Sequence, residues 1–151
     1  MKKKVEALFS QYLEAFVGYD LNSVCACYQL PCTLNTPDKI VLLTNVEQCK
    51  KEFNEIFTQL QQANTSKIVA QKASFMQINA HLLLACIDWE FLDGTNQTFA
   101  DFSAFYHISI VTSDSSEVAK QELKIMNVVS HELANSISLT HSFSVNANVL
   151  K

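Results

Sequence analysis

The 151-residue sequence predicts one α+β domain: three helices packed on one face of a curved, mainly antiparallel sheet. Apolar residues recur at three- and four-residue steps up to about residue 60, the spacing of amphipathic helices. Beyond Ser66 the period falls to two, in long runs rich in aromatic and β-branched residues. With 48% hydrophobic and 17% charged residues, the chain has enough apolar mass for one good core rather than two poor ones. The domain is placed at residues 1–135, and residues 136–151 form an extra strand or a flexible tail.

Val5, Leu8, Phe9, Tyr12, Leu13 and Phe16 make the stripe of a first helix from about Lys4 to Val17, ended by Gly18. Asp20 is the expected N-cap of a short second helix running to Tyr28 and stopped by Pro31, since the residue before a proline leaves the helical region. CTLNT and KIVLLT flank Pro37-Asp38 as a small hairpin. Thr44 and Glu47 have the spacing of a capping box, so a long third helix starts there, with Cys49, Phe53, Ile56, Phe57 and Leu60 on its buried side.

Lys67–Ile78 and His81–Phe91 read as strands, followed by a turn in which Gly94 supplies a positive φ. Phe99–Ile110 (FADFSAFYHISI) is the central strand, Ser113–Lys120 a polar loop, and Glu122–His131 the last long strand. Alternation on the central strand points Ala100, Phe102, Ala104, Tyr106, Ile108 and Ile110 inward. Asp101, Ser103, Phe105 and His107 then face solvent or a second subunit. The same parity buries Ala85, Ile87 and Trp89 and leaves Asp88 outside. That mixed polar and aromatic outer face predicts a homodimer.

Composition removes several function classes. A net charge of −4, with Lys2–Lys4 as the only basic cluster, argues against nucleic-acid binding. Behind those lysines, Glu6, Ser10, Gln11 and Glu14 interrupt the apolar run, so it reads neither as a signal peptide nor as a membrane span, and a cytoplasmic location is expected. Five cysteines without a CxxC pair or a histidine at zinc spacing read as buried thiols, and two glycines leave no phosphate loop. No metal and no cofactor are expected.

The order of elements, with QYLEAFVGYDLNSVCACY before the Pro37 turn, CIDWEF before DFSAFYHI, and the closing IMNVVSH, resembles the NTF2-like superfamily. This cystatin-like cone is shared by ketosteroid isomerases, SnoaL-type cyclases and limonene epoxide hydrolases, and the resemblance spans roughly Lys4 to Glu132. It implies a pocket at the open end of the cone. Comparison with the isomerase pattern sets Tyr12 at the position of the catalytic tyrosine and favours Met126 and Ser130 as inward residues. The isomerase base position, before the proline turn, holds Thr36, which cannot act as a base near neutral pH. The second aspartate would fall near Ala104, and Asp101, three residues away, has the opposite parity.

Two of the three isomerase roles are therefore empty. Tyr12, His131 and Asp101 remain as candidate acid–base residues, with Asp88 as a further carboxylate near them. Tyr12, Thr36, Trp89, Phe102, Tyr106, Met126 and Ser130 are the expected pocket lining. The leading expectation is a domain that binds a small, mostly apolar ligand. The alternatives are a SnoaL-type isomerase, cyclase or hydrolase, and a non-catalytic dimeric interaction domain.

Overall fold

The computed structural model describes residues 1–113 and 120–146. Most of the loop expected at Ser113–Lys120, and the last five residues, lie outside the described residues. The helices are α1 (Lys2–Val17), α2 (Leu21–Ala26) and α3 (Val46–Gln62). The strands are β1 (Tyr28–Asn35), β2 (Ile40–Leu43), β3 (Thr65–Gln77), β4 (Leu82–Asp93), β5 (Thr98–Ser113), β6 (Lys120–His131) and β7 (His141–Ser142). They form one sheet in the order β2-β1-β6-β5-β4-β3-β7, antiparallel except for the β1–β6 pair. No described helix is long and apolar enough to cross a membrane.

The helical stripes lie where their spacing puts them. Val5, Leu8, Phe9, Tyr12, Leu13 and Phe16 of α1 and Cys49, Phe53, Phe57 and Leu60 of α3 are buried against the inner face of the sheet. On β5, Ala104, Tyr106, Ile108 and Ile110 are buried, and on β4 Ala85, Ile87 and Trp89 are. All five cysteines are free and buried.

Four local expectations are corrected. Pro31 does not stop a helix: α2 already ends at Ala26, and Pro31 lies within β1, where the β1–β6 register shifts between Tyr28 and Thr33. A strand position there tolerates a residue without an N–H because the ladder is already broken. The α3 cap is shifted by one residue. Asn45, a stronger N-cap than threonine, accepts the Gln48 amide at 2.9 Å, and the Gln48 side chain reaches back to the Thr44 amide at 2.8 Å. Gly94 does not have a positive φ; Asn96 does, at 65°. Glycine at 94 leaves room for the Asn64 side chain, whose Nδ2 would stand 2.6 Å from a Cβ there and would have to swing aside.

Met126 is the fourth. His107 pairs with Asn127 and Ile108 with Ile125, so Met126 is the extra residue of a bulge and takes no part in the inner face. The bulge swaps parity: Leu123 and Ile125 are buried before it and Val128 after it.

The tail crosses the outer face of the sheet. After a short 3-10 turn at Leu133–Asn135, the Ser136 hydroxyl donates to Asp88 Oδ2 at 2.8 Å and the Leu139 amide to Ser74 Oγ at 2.9 Å. His141 and Ser142 then pair with Phe75 and Ser74, and Phe143 and Val145 are buried in the core. Phe143 stacks on Phe9 at a ring-centroid distance of 5.7 Å. This strap changes the expected outer face. Asp88 and Ser103, predicted to face solvent or a partner, are 8% and 0% exposed, joined to each other at 2.8 Å. Asp88 is already used by the chain's own tail, and Ser103 is bonded to Asp88 beneath it.

Candidate functional site

Between α1, α3 and the inner face of the sheet lies a cavity of about 540 Å³. Such a volume fits a small molecule. Its walls are mainly apolar, from Leu13 and Phe16 of α1, Phe53 and Ile56 of α3, and Ile68, Phe91, Phe102 and Val128 of the sheet. Exposed Thr36, Pro37, Gln59, Asp101 and Glu132, with half-buried His131, mark the mouth.

Four polar aromatic side chains stand at the buried end. Trp89 Nε1 donates to Tyr106 Oη at 2.9 Å, and Tyr12 Oη and Tyr28 Oη share a hydrogen bond at 3.0 Å. The Tyr12 ring meets that of Tyr106 edge-on at 6.1 Å. Burial drives the pKa of all three phenols well above the ordinary tyrosine value; hydrogen bonds from Tyr28 and Tyr106 oppose this at Tyr12 without cancelling it. The phenols are held as neutral O–H groups that can donate. They are poor proton acceptors.

Proton bookkeeping gives the cluster a direction. Trp89, Tyr106, Tyr12 and Tyr28 carry four polar hydrogens, and the indole N–H offers no acceptor. Two bonds are made, and even with a third between Tyr12 and Tyr106 one O–H hydrogen has no acceptor within the row. Within these four side chains one phenol hydrogen is left without a partner, and Tyr12, Tyr28 and Tyr106 all border the cavity.

Of the residues expected to line a pocket, Tyr12, Thr36, Trp89, Phe102, Tyr106 and Ser130 border this cavity, and Met126, on its bulge, does not. The three candidate acid–base residues are not brought together. Tyr12 is at the buried end, whereas Asp101 and His131 are at the mouth, and no hydrogen bond or ion pair joins any two of them. His131 Nδ1 instead meets the Glu132 carbonyl oxygen at 3.2 Å. Asp101 borders the mouth despite its outward parity, across the ladder from Glu90. Among the described residues no group of three or more His, Cys, Asp or Glu side chains could hold a metal ion.

Tyr28 was hidden from sequence reasoning because it falls at the junction of α2 and β1, where a helical reading carries no inward parity. The signal for Ile56 and Phe53 was present in the α3 stripe, which faces the cavity as well as the core.

No curated protein matches the chain. Several solved structures share its fold at low sequence identity. A domain of unknown function with a cystatin-like fold from Nostoc punctiforme superposes with a TM-score of 0.67 at 14% identity, covering 91% of this chain and 77% of its own. An NTF2-like protein from Novosphingobium aromaticivorans gives a TM-score of 0.68 at 7% identity, covering 89% and 82%. A ketosteroid isomerase-like protein from Erwinia carotovora atroseptica gives 0.56 at 13%, covering 91% and 97%. Identities this low carry the fold and leave the chemistry open. The cone, its inward-facing central strand and a family model matching residues 2–132, described as NTF2-like protein (DUF6841), agree: the chain belongs to this NTF2-like family.

Proposed function

We propose that this protein binds a small, mostly apolar molecule in the cone, with a hydrogen-bond acceptor such as a carbonyl or ether oxygen at its buried end. The observation that carries this reading is the surplus O–H of the Tyr12, Tyr28 and Tyr106 row at the end of an otherwise apolar cavity. An apolar body would be taken up by Phe16, Phe91 and Phe102, and the acceptor would satisfy the unmatched hydrogen. Raised phenol pKa values favour binding over proton abstraction at this end, since the hydroxyls keep their protons throughout the neutral range.

The single tryptophan, Trp89, borders the cavity and reports its occupancy. Titration with 2-decalone, a bicyclic ketone, should change Trp89 emission with saturation. Decalin, the same frame without the oxygen, should bind roughly tenfold more weakly, the worth of about one neutral hydrogen bond. Tyr28→Phe should reduce that preference. Equal affinity for ketone and hydrocarbon would remove the acceptor from the reading, and no saturable response to either would remove the pocket.

A further inference from the structure

The three most exposed large hydrophobic residues among those described fall together at one edge of the sheet. They are Ile40 at 74%, Leu42 at 60% and Val46 at 50%. Ile40 and Leu42 belong to β2, the terminal strand beside β1, and Val46 opens the helix that follows it. The opposite edge is treated differently: there β7 pairs with β3 and closes part of it.

We propose that β2 is a docking strand for β2 of a second copy of this chain, in an antiparallel two-fold pairing that continues the sheet across the interface. The backbone supplies the first argument. Lys39 O accepts from Thr36 N at 2.9 Å, so the main-chain groups of Lys39 face β1, and by alternation those of Val41 and Leu43 do too. The N–H and C=O groups of Ile40 and Leu42 then point away from β1, on a side where no strand lies among the described residues. Setting Val41 on the two-fold axis places Ile40 opposite the partner copy's Leu42 and Leu42 opposite its Ile40. The free groups of each strand then meet the free groups of the other, and all of them are satisfied.

Side chains give the second argument. In that register the exposed aliphatic pair of one copy lies beside that of the other on the same face, so apolar surface meets apolar surface. Val41 and Leu43, half-buried and buried, keep their places inside. Charge supplies the third. Lys39 stands just before β2, in a loose surface pair with Glu52 of its own copy at 3.7 Å, and Glu47 stands in the first turn of the helix that follows; both are exposed. Antiparallel pairing sets the cationic end of each copy beside the anionic end of the other, whereas parallel pairing sets like beside like. β2 itself contains no charge and no proline, the usual devices that keep an edge strand from pairing. The pairing is isologous and closes at two copies.

Light scattering on the full chain at micromolar concentration tests this. The wild type should have the mass of a dimer. Leu42→Lys should weaken the dimer at least about tenfold while retaining the wild-type circular dichroism spectrum, because position 42 is open to solvent in the single copy. Lys39→Glu and Glu47→Lys should each weaken it, and the double reversal Lys39→Glu/Glu47→Lys should recover affinity relative to both. A monomeric wild type overturns the proposal. So does a dimer indifferent to Leu42→Lys, which would place the contact elsewhere, for example around Phe105 on the outer face. A double reversal no better than the single ones overturns the antiparallel register.

Discussion

Raising the pH from about 8 to about 13 is expected to unfold this protein in one cooperative step, with the tyrosinate absorbance of Tyr12, Tyr28 and Tyr106 appearing as the circular dichroism signal is lost. These phenols are buried and their pKa values are raised by desolvation, so the folded chain keeps their protons at a pH where the unfolded chain has released them. A group whose folded pKa lies above its unfolded one contributes fully below the unfolded value. Above it, the contribution is lost as pH rises. In the unfolded chain tyrosine ionises near pH 10, and each group then costs about 1.4 kcal/mol per pH unit, or roughly 4 kcal/mol per unit for three. A domain stability of about 5–15 kcal/mol is exhausted within a few units. The thiols act in the same direction, since burial pushes Cys27 up to about 12 and Cys32 to about 11. Tyrosinate formation by all three phenols with the sheet intact would mean that the buried end of the cavity is wet and open.

The second large effect is expected at the strap. Phe143 follows β7, stacks on Phe9, meets Phe75 edge-on at 5.9 Å and donates its amide to Ala73 O at 3.0 Å. Beside it the Ser144 amide reaches Glu6 Oε2 at 3.0 Å. Phe143→Ala removes a buried ring from a packed site and should cost about 3–5 kcal/mol. The melting temperature should fall by roughly 10 °C for a chain of this size. Loss of the ring also releases the segment that covers Asp88 and Ser74, so hydrogen exchange on β3 and β4 should rise more than on β6. A cost under about 1 kcal/mol would show that the tail is dispensable. This matters beyond stability, because the family match ends at residue 132 and the strap lies outside it.

The fold was legible because its signals are periodic. Stripes at three- and four-residue steps on α1 and α3 and strict alternation on β5 require no tertiary knowledge, and Ala104, Tyr106 and Ile108 are buried as that alternation requires. Misreadings arise where a local rule meets a rival of equal strength. Pro31 can stop a helix or sit in an interrupted ladder, and the sheet decides. Thr44 and Asn45 both make good caps, and Gln48 selects the second. Met126 is invisible as a bulge because Ile125, Met126, Val128 and Val129 are all apolar, so parity gives no warning of the skipped residue. The burial of Asp88 and Ser103 depends on a tail whose Ser, Thr and Asn residues resemble a solvated segment.

The cavity was legible in its aromatic wall and hidden in its polarity. Trp89, Phe102 and Tyr106 announce themselves by parity on adjacent strands. Their meaning changes once Tyr28 joins Tyr12 from β1, because the row of donors then extends by a second buried phenol pair at the end of the cavity. Conversely, Tyr12, His131 and Asp101 looked like partners in a list of titratable residues and are separated by the depth of the cavity. The side chains suited to chemistry are at the wet mouth, and those suited to recognition are at the dry end.

The infrared spectrum of the carbonyl of 2-decalone bound to the protein tests that division most directly. If the row of phenols donates to the ligand, the carbonyl stretch should lie below its position in alkane solvent and move back toward it in Tyr28→Phe and Tyr12→Phe. A band at the alkane position in the wild-type complex would contradict the assignment of the surplus hydrogen to the ligand.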